Sequence, residues 1–358
     1  MNKQEIVFIV PDLSYGGAQK TFCNIVNQLV MLRNDIKITL ISLNKSKNFK
    51  NIFDAVNLVE LQSSRSLFSS IKLIKYINKN KPKHIFSTTV HVNILCIMLK
   101  FLFPIKITIR ESNPTFFRSD ISKIYKFLAK FLYSFSDHII CLSEFVFDDI
   151  KKNVRIKNEK ISKIYNPVDF NLIRNYATKK EINFNSQDLN LIYVGRISAQ
   201  KNINFLIDII NNINLPNIKL RIIGKGPEYL NIISKVSKLK LKDKILFYDF
   251  KKNPLPDIAN SDVFLLPSNW EGFGHVIAES LFLQTPVISI NTSGIAKIFL
   301  KTNYFTLINS KSVKDISNRV KDLIIKYKKN KPKINIDFLK TIESKNIAHK
   351  YLNLINNL

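Results

Sequence analysis

Glu271 and Glu279 stand eight positions apart, and the residues between them pass from a small-residue loop, Gly272-Phe273-Gly274, into the apolar helical run His275-Val276-Ile277-Ala278. A loop that opens a helix offers unpaired backbone N–H groups and the positive end of the helix dipole. Glycines at such a place let the backbone come close to an anion. Gly272, Phe273, Gly274, His275 and Val276 are therefore candidates for holding phosphate. Glu279, inside the helix, can accept hydrogen bonds from hydroxyls on the same ligand, and Glu271 sits at the mouth of the loop. A diphosphate joined to hydroxylated groups, as in a nucleotide sugar, suits this set. The plain alternative is a capped amphipathic helix with two solvated carboxylates.

A second constellation strengthens the first reading. Leu189–Val194 reads as a buried strand by length and apolar content. It runs into Gly195-Arg196, and Lys201 follows five residues later at a helix start, which sets two cations over one anion site. Strand, turn and helix also open the chain. Ile6–Val10 is strand-like, Gly16-Gly17 lies in the turn, and Gln19–Leu32 has helical periodicity. Ile36–Leu43, Asn57–Leu61, His84–Thr88, Lys106–Arg110 and His138–Leu142 read as further strands, with helices over Ser66–Asn78 and Val92–Phe103. Leu220–Ile223, Ile245–Tyr248, Asp262–Leu266 and Val287–Ile290 continue the pattern in the second half. Alternating strands and helices of this kind predict α/β units with parallel sheets.

These motifs resemble the family-4 retaining glycosyltransferases of bacterial cell-surface polysaccharide synthesis, whose signature is E-x7-E and whose GT-B fold sets two Rossmann-like domains facing each other across a cleft. The G-R-x-x-x-x-K element of that family is matched by Gly195, Arg196 and Lys201, and Gly224-Lys225-Gly226-Pro227-Glu228 is also family-like. The resemblance is specific over residues 189–294 and looser before them. It implies an N-terminal acceptor-side domain over 1–168, a polar linker at 169–188, a nucleotide-sugar domain over 189–335, and a C-terminal helix, 336–358, packing back on the first domain. It implies that Arg196 and Lys201 hold the donor diphosphate and stabilise the leaving nucleotide, that Gly16 and Gly17 face the donor phosphate, that Glu279 anchors the ribose, and that Glu271 positions the donor sugar. Glu271, Arg196 and Lys201 are thus the catalytic candidates.

The acceptor side is less regular. Many members carry a histidine near the end of the strand read here as His84–Thr88. The natural register puts Thr88 there and His91 three residues on, so both stand as candidates, together with Glu111 at the end of the following strand. The activity implied is that of a hexosyltransferase acting on a nucleoside-diphosphate sugar, UDP-linked by family frequency. The implied acceptor is a lipid-linked or oligosaccharide glycan of lipopolysaccharide or capsule type. A sugar-nucleotide epimerase of the same fold, or a non-catalytic membrane- or polyanion-binding protein, are the alternatives.

Composition bounds these readings. The 358 residues exceed one ordinary core, and 46% hydrophobic with 23% charged residues is globular. Cys23, Cys96 and Cys141 are isolated, which fits a reducing compartment. No H-E-x-x-H or D-x-D pattern occurs, so neither a metal nor another cofactor is expected; the nucleotide sugar is a substrate. Met1–Lys3 is short and polar and Glu5 interrupts the apolar run, so no signal peptide is expected.

The formal charge is +28, with an equal excess of 14 basic residues in 1–165 and in the remainder. An even spread without nucleic-acid motifs argues against a nucleic-acid partner and leaves an anionic membrane surface or simple compositional bias. Lys123, Lys126 and Lys130 lie on one side of a predicted amphipathic helix whose other side carries Ile121, Ile124, Leu128, Phe131 and Leu132. Phe116 and Phe117 precede it. Such a helix suits a bilayer interface or ordinary packing. The expected location is the cytoplasmic face of the membrane, with peripheral attachment.

Overall fold

The computed structural model of the protein describes residues 3–13, 17–44, 52–61, 66–177, 185, 187–330 and 333–357. The chain forms two compact units, one of residues 1–168 with 341–358 and one of 169–340.

In the first unit the chain alternates β1 (Gln4–Val10), α1 (Gly17–Leu32), β2 (Ile36–Ser42), β3 (Asn57–Glu60), α2 (Ser66–Asn80), β4 (His84–Thr88), α3 (Val90–Lys100), β5 (Lys106–Glu111), α4 (Lys123–Leu132), β6 (His138–Cys141), α5 (Glu144–Asn153) and β7 (Ile161–Lys163). Among the described residues the strands make a seven-stranded parallel sheet in the order β3-β2-β1-β4-β5-β6-β7. Parallel strands covered on both faces must be apolar on both sides. Ile6, Val7, Phe8, Ile9 and Val10 are accordingly all buried. Phe8 stacks on Phe86 with ring centroids 4.8 Å apart, and Tyr351 of the C-terminal helix, Ser344–Asn357, packs tilted against Phe86.

The second unit runs α6 (Phe170–Ala177), β8 (Leu189–Val194), α7 (Ile203–Asn212), β9 (Ile218–Ile223), α8 (Tyr229–Lys238), β10 (Ile245–Tyr248), α9 (Leu255–Ala259), β11 (Val263–Leu266), α10 (His275–Phe282), β12 (Val287–Ile290), β13 (Phe305–Ile308) and α11 (Val313–Lys329). Its six described strands are parallel in the order β10-β9-β8-β11-β12-β13.

The polar segment expected to be linker contains α6. Phe170 and Ile173, three residues apart on one face, are buried, and Phe170 stacks on Phe282 of α10 at 4.7 Å. Two well-placed apolar residues suffice to dock so short a helix even though its other positions are polar. Residues 178–184 and 186 of that segment lie outside the described ones.

All three cysteines are buried, and burial pushes the Cys23 and Cys96 thiols up to about 12. His84, at the start of β4, is also buried. Its ring stacks on Phe86 at 4.4 Å and its Nε2 lies 2.8 Å from Thr108 Oγ1 of β5. Burial lowers its pKa from 6.5 to about 4, against the pull of Asp137 and with help from Lys106 and His138.

The folded state therefore keeps His84 neutral between the two values, whereas the unfolded chain takes up a proton there. Stability from this group is full above the unfolded value and falls as pH drops from about 6.5 to about 4, by up to about 3 kcal/mol at roughly 1.4 kcal/mol per unit. Urea denaturation at pH 7.5 and 4.5 tests this. His84→Gln should show a smaller pH difference than wild type; an equal difference would remove His84 as the cause.

Candidate functional site

In each sheet the strand order reverses direction at one place, between β1 and β4 in the first unit and between β8 and β11 in the second. Loops leaving adjacent strands at such a reversal diverge to opposite faces and open a crevice at the carboxyl ends. The loop after β8 is the one with Arg196 and Lys201, and the loop after β11 is the one with Glu271 and Gly274. The two motifs found apart in the sequence thus share one end of one sheet.

Hydrogen bonds strap these loops together. The Asn269 N–H donates to the Gln200 carbonyl at 2.8 Å, and Gln200 Nε2 donates to the Trp270 carbonyl at 3.0 Å. Asn269 Nδ2 donates to the Ala199 carbonyl at 2.9 Å, and Asn202 Nδ2 donates to Asn269 Oδ1 at 3.0 Å. At the centre, Lys201 Nζ and Ser268 Oγ both donate to Glu271 Oε1 at 2.6 Å. Glu271 is buried, so its charge has been taken out of water and Lys201 compensates it. Among the described residues no donor reaches Glu271 Oε2, and no carboxylate pairs with the exposed Arg196 guanidinium. The site therefore combines a neutralised lysine–glutamate pair with an uncompensated arginine and one open carboxylate oxygen.

The backbone of the Arg196 loop rests on the turn after β9. The Ile197 N–H donates to the Lys225 carbonyl at 3.0 Å and the Glu228 N–H to the Ile197 carbonyl at 3.2 Å. A Cβ on Gly226 would stand 2.1 Å from the Ile197 carbonyl oxygen, so only glycine allows this approach. On the other side, Gly274 caps α10 with a φ of 82° and the helix begins at His275. Gly272 and Phe273 are buried and Val276 half-buried, while the Phe273 ring packs on Phe299 at 5.3 Å and edge-on to His275. Glu279 is half-buried on the same helix. The turn Trp270–Glu271 is held from its far side by Ser293, whose carbonyl accepts the Glu271 N–H at 2.9 Å.

The first unit distributes its candidates differently. Gly16 lies outside the described residues, and Gly17 is the first residue of α1. Thr88 and Glu111 are buried. Glu111 accepts from Asn93 Nδ2 and Thr115 Oγ1, each at 2.7 Å, and from the Tyr133 hydroxyl. Burial raises its pKa while those three donors pull it down. Thr88 Oγ1 lies 3.4 Å from both Ser112 Oγ and Arg110 Nη1, and Arg110 also donates to Asn166. β5 runs one residue further than its apolar pattern suggests, and Glu111, its last residue, is held in this internal network.

His91 is exposed near the start of α3. Partial desolvation lowers its pKa, and Asp12 opposes the shift. The residue before α3, Thr89, was not singled out by sequence reasoning. It has a φ of 76°, rare for a β-branched residue, and its buried hydroxyl has no partner among the described residues. Ser268, Asn269 and Gln200 were also missed. Their only signal was position in the two loops, because the bonds of Gln200 and Asn269 join residues some 70 positions apart and the Ser268 bond depends on the local turn.

The proposed membrane residues separate. Lys123 and Lys130 are exposed on α4, while Lys126 is half-buried and donates to the Phe116 carbonyl at 2.8 Å. Phe116 packs on the core; Phe117 is exposed and meets Phe145 edge-on at 5.0 Å.

Two doubly wound units in series, with loops of this kind at the strand-order reversal, are the GT-B fold. The structure of Anabaena HepE in complex with UDP and glucose matches 99% of this chain and 100% of its own, with a TM-score of 0.78 at 16% identity. Residues 15–172 match the family described as Glycosyltransferase Family 4, and residues 176–335 match Glycosyl transferases group 1. The O-antigen biosynthesis glycosyltransferase WclY of Escherichia coli is 24% identical over 99% of this chain and 98% of its own. The N-acetylgalactosamine-N,N'-diacetylbacillosaminyl-diphospho-undecaprenol 4-alpha-N-acetylgalactosaminyltransferase of Campylobacter jejuni is 27% identical over 64% of each chain. The chain is a GT-B-fold glycosyltransferase related to those of bacterial surface-polysaccharide synthesis.

Because Lys201 compensates a buried carboxylate, Lys201→Ala should destabilise the protein by about 2–4 kcal/mol in urea denaturation. Adding Glu271→Gln should recover at least about 1 kcal/mol of that loss, since the stranded charge disappears. Arg196→Ala should stay within about 0.5 kcal/mol of wild type. Equal loss in the single and double variants would mean that the pair contributes nothing beyond packing.

Proposed function

We propose that the protein is a retaining hexosyltransferase. It moves a sugar from a UDP-sugar to a glycan acceptor carried on a polyprenyl diphosphate, in the synthesis of a surface polysaccharide at the cytoplasmic face of the membrane. One observation carries the donor half of this reading. Arg196, the Lys201–Glu271 pair and the N-terminus of α10 meet at the strand-order reversal of the second sheet. Two similar proteins support the rest, one a structure with UDP and glucose bound and the other a transferase named for a diphospho-undecaprenol acceptor.

The chemistry is leaving-group stabilisation. As the bond between the sugar C1 and the diphosphate oxygen breaks, its electron pair goes to that oxygen, and negative charge grows on the diphosphate. Arg196 neutralises it, Lys201 donates to it from beside Glu271, and the N–H groups of Phe273, Gly274 and His275, backed by the α10 dipole, complete the anion site. Glu271, fixed by Lys201 and Ser268, offers Oε2 to a hydroxyl of the donor sugar. Glu279 accepts from the ribose hydroxyls, and Gly272 and Val276 complete the backbone around the phosphates. On the acceptor side His91 is the candidate that solvent reaches.

The test is turnover and binding together. Release of uridine diphosphate from a UDP-sugar only when a polyprenyl-linked glycan is present is expected. Release without acceptor, or conversion of the donor sugar alone, would point to another reaction. Arg196→Ala and Glu279→Gln should each weaken UDP binding by about 1–3 kcal/mol in calorimetry, through loss of a charge-assisted contact. Unchanged affinity in both would overturn the site.

A further inference from the structure

The apolar side of α4 is wider than its core contact. Ala129 is buried and Leu128 and Leu132 pack on the first unit's core, yet Ile124, Phe127 and Phe131 are each more than half exposed. These three, at i, i+3 and i+7, form one stripe along the helix. Phe127 and Phe131 pack together at 4.8 Å. The stripe continues through Phe135, also more than half exposed, whose ring packs edge-on at 5.3 Å against Phe101 at the end of α3, with exposed Leu102 beside it. Six large exposed apolar side chains thus lie along α4, on the turn that follows it and at the end of α3, four of them in two packed pairs. Unpartnered aromatic surface of that extent marks an interaction site.

The charges around it say what it meets. Lys123 lies four residues before Phe127, and Lys130 three residues after it, so both ammonium groups border the stripe. No acidic residue occurs between 121 and 136, and Asp137, next in sequence, is tied to Lys100 at 2.6 Å. A second copy would bring the same lysines to a two-fold contact and repel. An anionic bilayer attracts the lysines at its headgroups and takes the aromatic rings below them, the lysine stems reaching up to the charged layer. Among the described residues no helix is long and apolar enough to cross a membrane. We propose that Phe101, Leu102, Ile124, Phe127, Phe131 and Phe135 form a wedge that inserts into the headgroup region of an anionic bilayer, with Lys123 and Lys130 as its electrostatic rim. This deepens, and for its purpose rests on, the reading of a lipid-carried acceptor. Charge brings the protein to the surface and insertion keeps it there.

The test uses full-length protein and vesicles of equimolar phosphatidylglycerol and phosphatidylethanolamine. Wild type should sediment with them, and a part of the binding should persist in 1 M salt, where the screening length is only about 3 Å. Phe127→Ser combined with Phe131→Ser should reduce partitioning at least about tenfold at both salt concentrations, because two ring burials are lost. Lys123→Glu with Lys130→Glu should reduce it mainly at low salt. The chain has a single tryptophan, Trp270, in the second unit. Phe127→Trp therefore adds one reporter, whose emission should shift to the blue and be quenched by brominated lipid. UDP affinity measured on each variant shows that the second unit is intact and judges the transferase reading separately. Wild-type partitioning by the serine variant, no quenching of Trp at 127, or concentration-dependent dimerisation abolished by the serine pair would each overturn the wedge.

Discussion

The pairing of β8 with β11 is the contact on which the chemistry of this molecule depends. It is short, with Val263 opposite Leu191 and Phe264 opposite Ile192. It nonetheless fixes which two loops emerge side by side. β8 is in turn paired with β9 along its whole length, so the turn at Gly224–Gly226 is delivered to the underside of the Arg196 loop. The cations, the buried carboxylate and the helix N-terminus are all consequences of this one seam. A preorganised set of charges is useful only if it need not rearrange when charge develops on a ligand. The side-chain and backbone straps between residues 199–202 and 268–271 supply that rigidity, whereas the ion pair alone would leave two flexible side chains to find one another.

How much was legible in the sequence follows the same division between local and distant information. Parallel strands are short segments rich in aliphatic and aromatic residues, so β8, β10, β4 and β12 could be read to the residue. The E-x7-E and G-R-x-x-x-x-K spacings are legible because each lies within one short stretch of chain. The Lys201–Glu271 pair could not be read, since its partners are 70 residues apart and either would serve equally well alone on a solvated loop. The partners of Glu111 were illegible for a related reason, since Asn93 on α3 and Tyr133 just beyond α4 lie 18 and 22 positions from it. α6 escaped because only two of its positions carry the packing.

The helix α4 shows the limit of periodicity itself. An apolar arc on a helical wheel records that one side avoids water, and it does not record what covers that side. Here Leu128 and Leu132 take the inner edge of the arc while Phe127 and Phe131 keep the outer edge. Only the neighbouring end of α3 reveals the boundary, through the contact between Phe101 and Phe135.

The burial of Cys23, Cys96 and Cys141 has a consequence of a different kind. A thiol reacts as its thiolate, and burial raises the pKa of all three thiols, to about 12 for Cys23 and Cys96, so they ionise too little to compete with a surface cysteine. The native protein thus has a chemically silent background toward maleimides and disulfides. One cysteine introduced on the outer edge of α4 would be the point of attachment for a spin label or fluorophore, with no native cysteine removed to make it so.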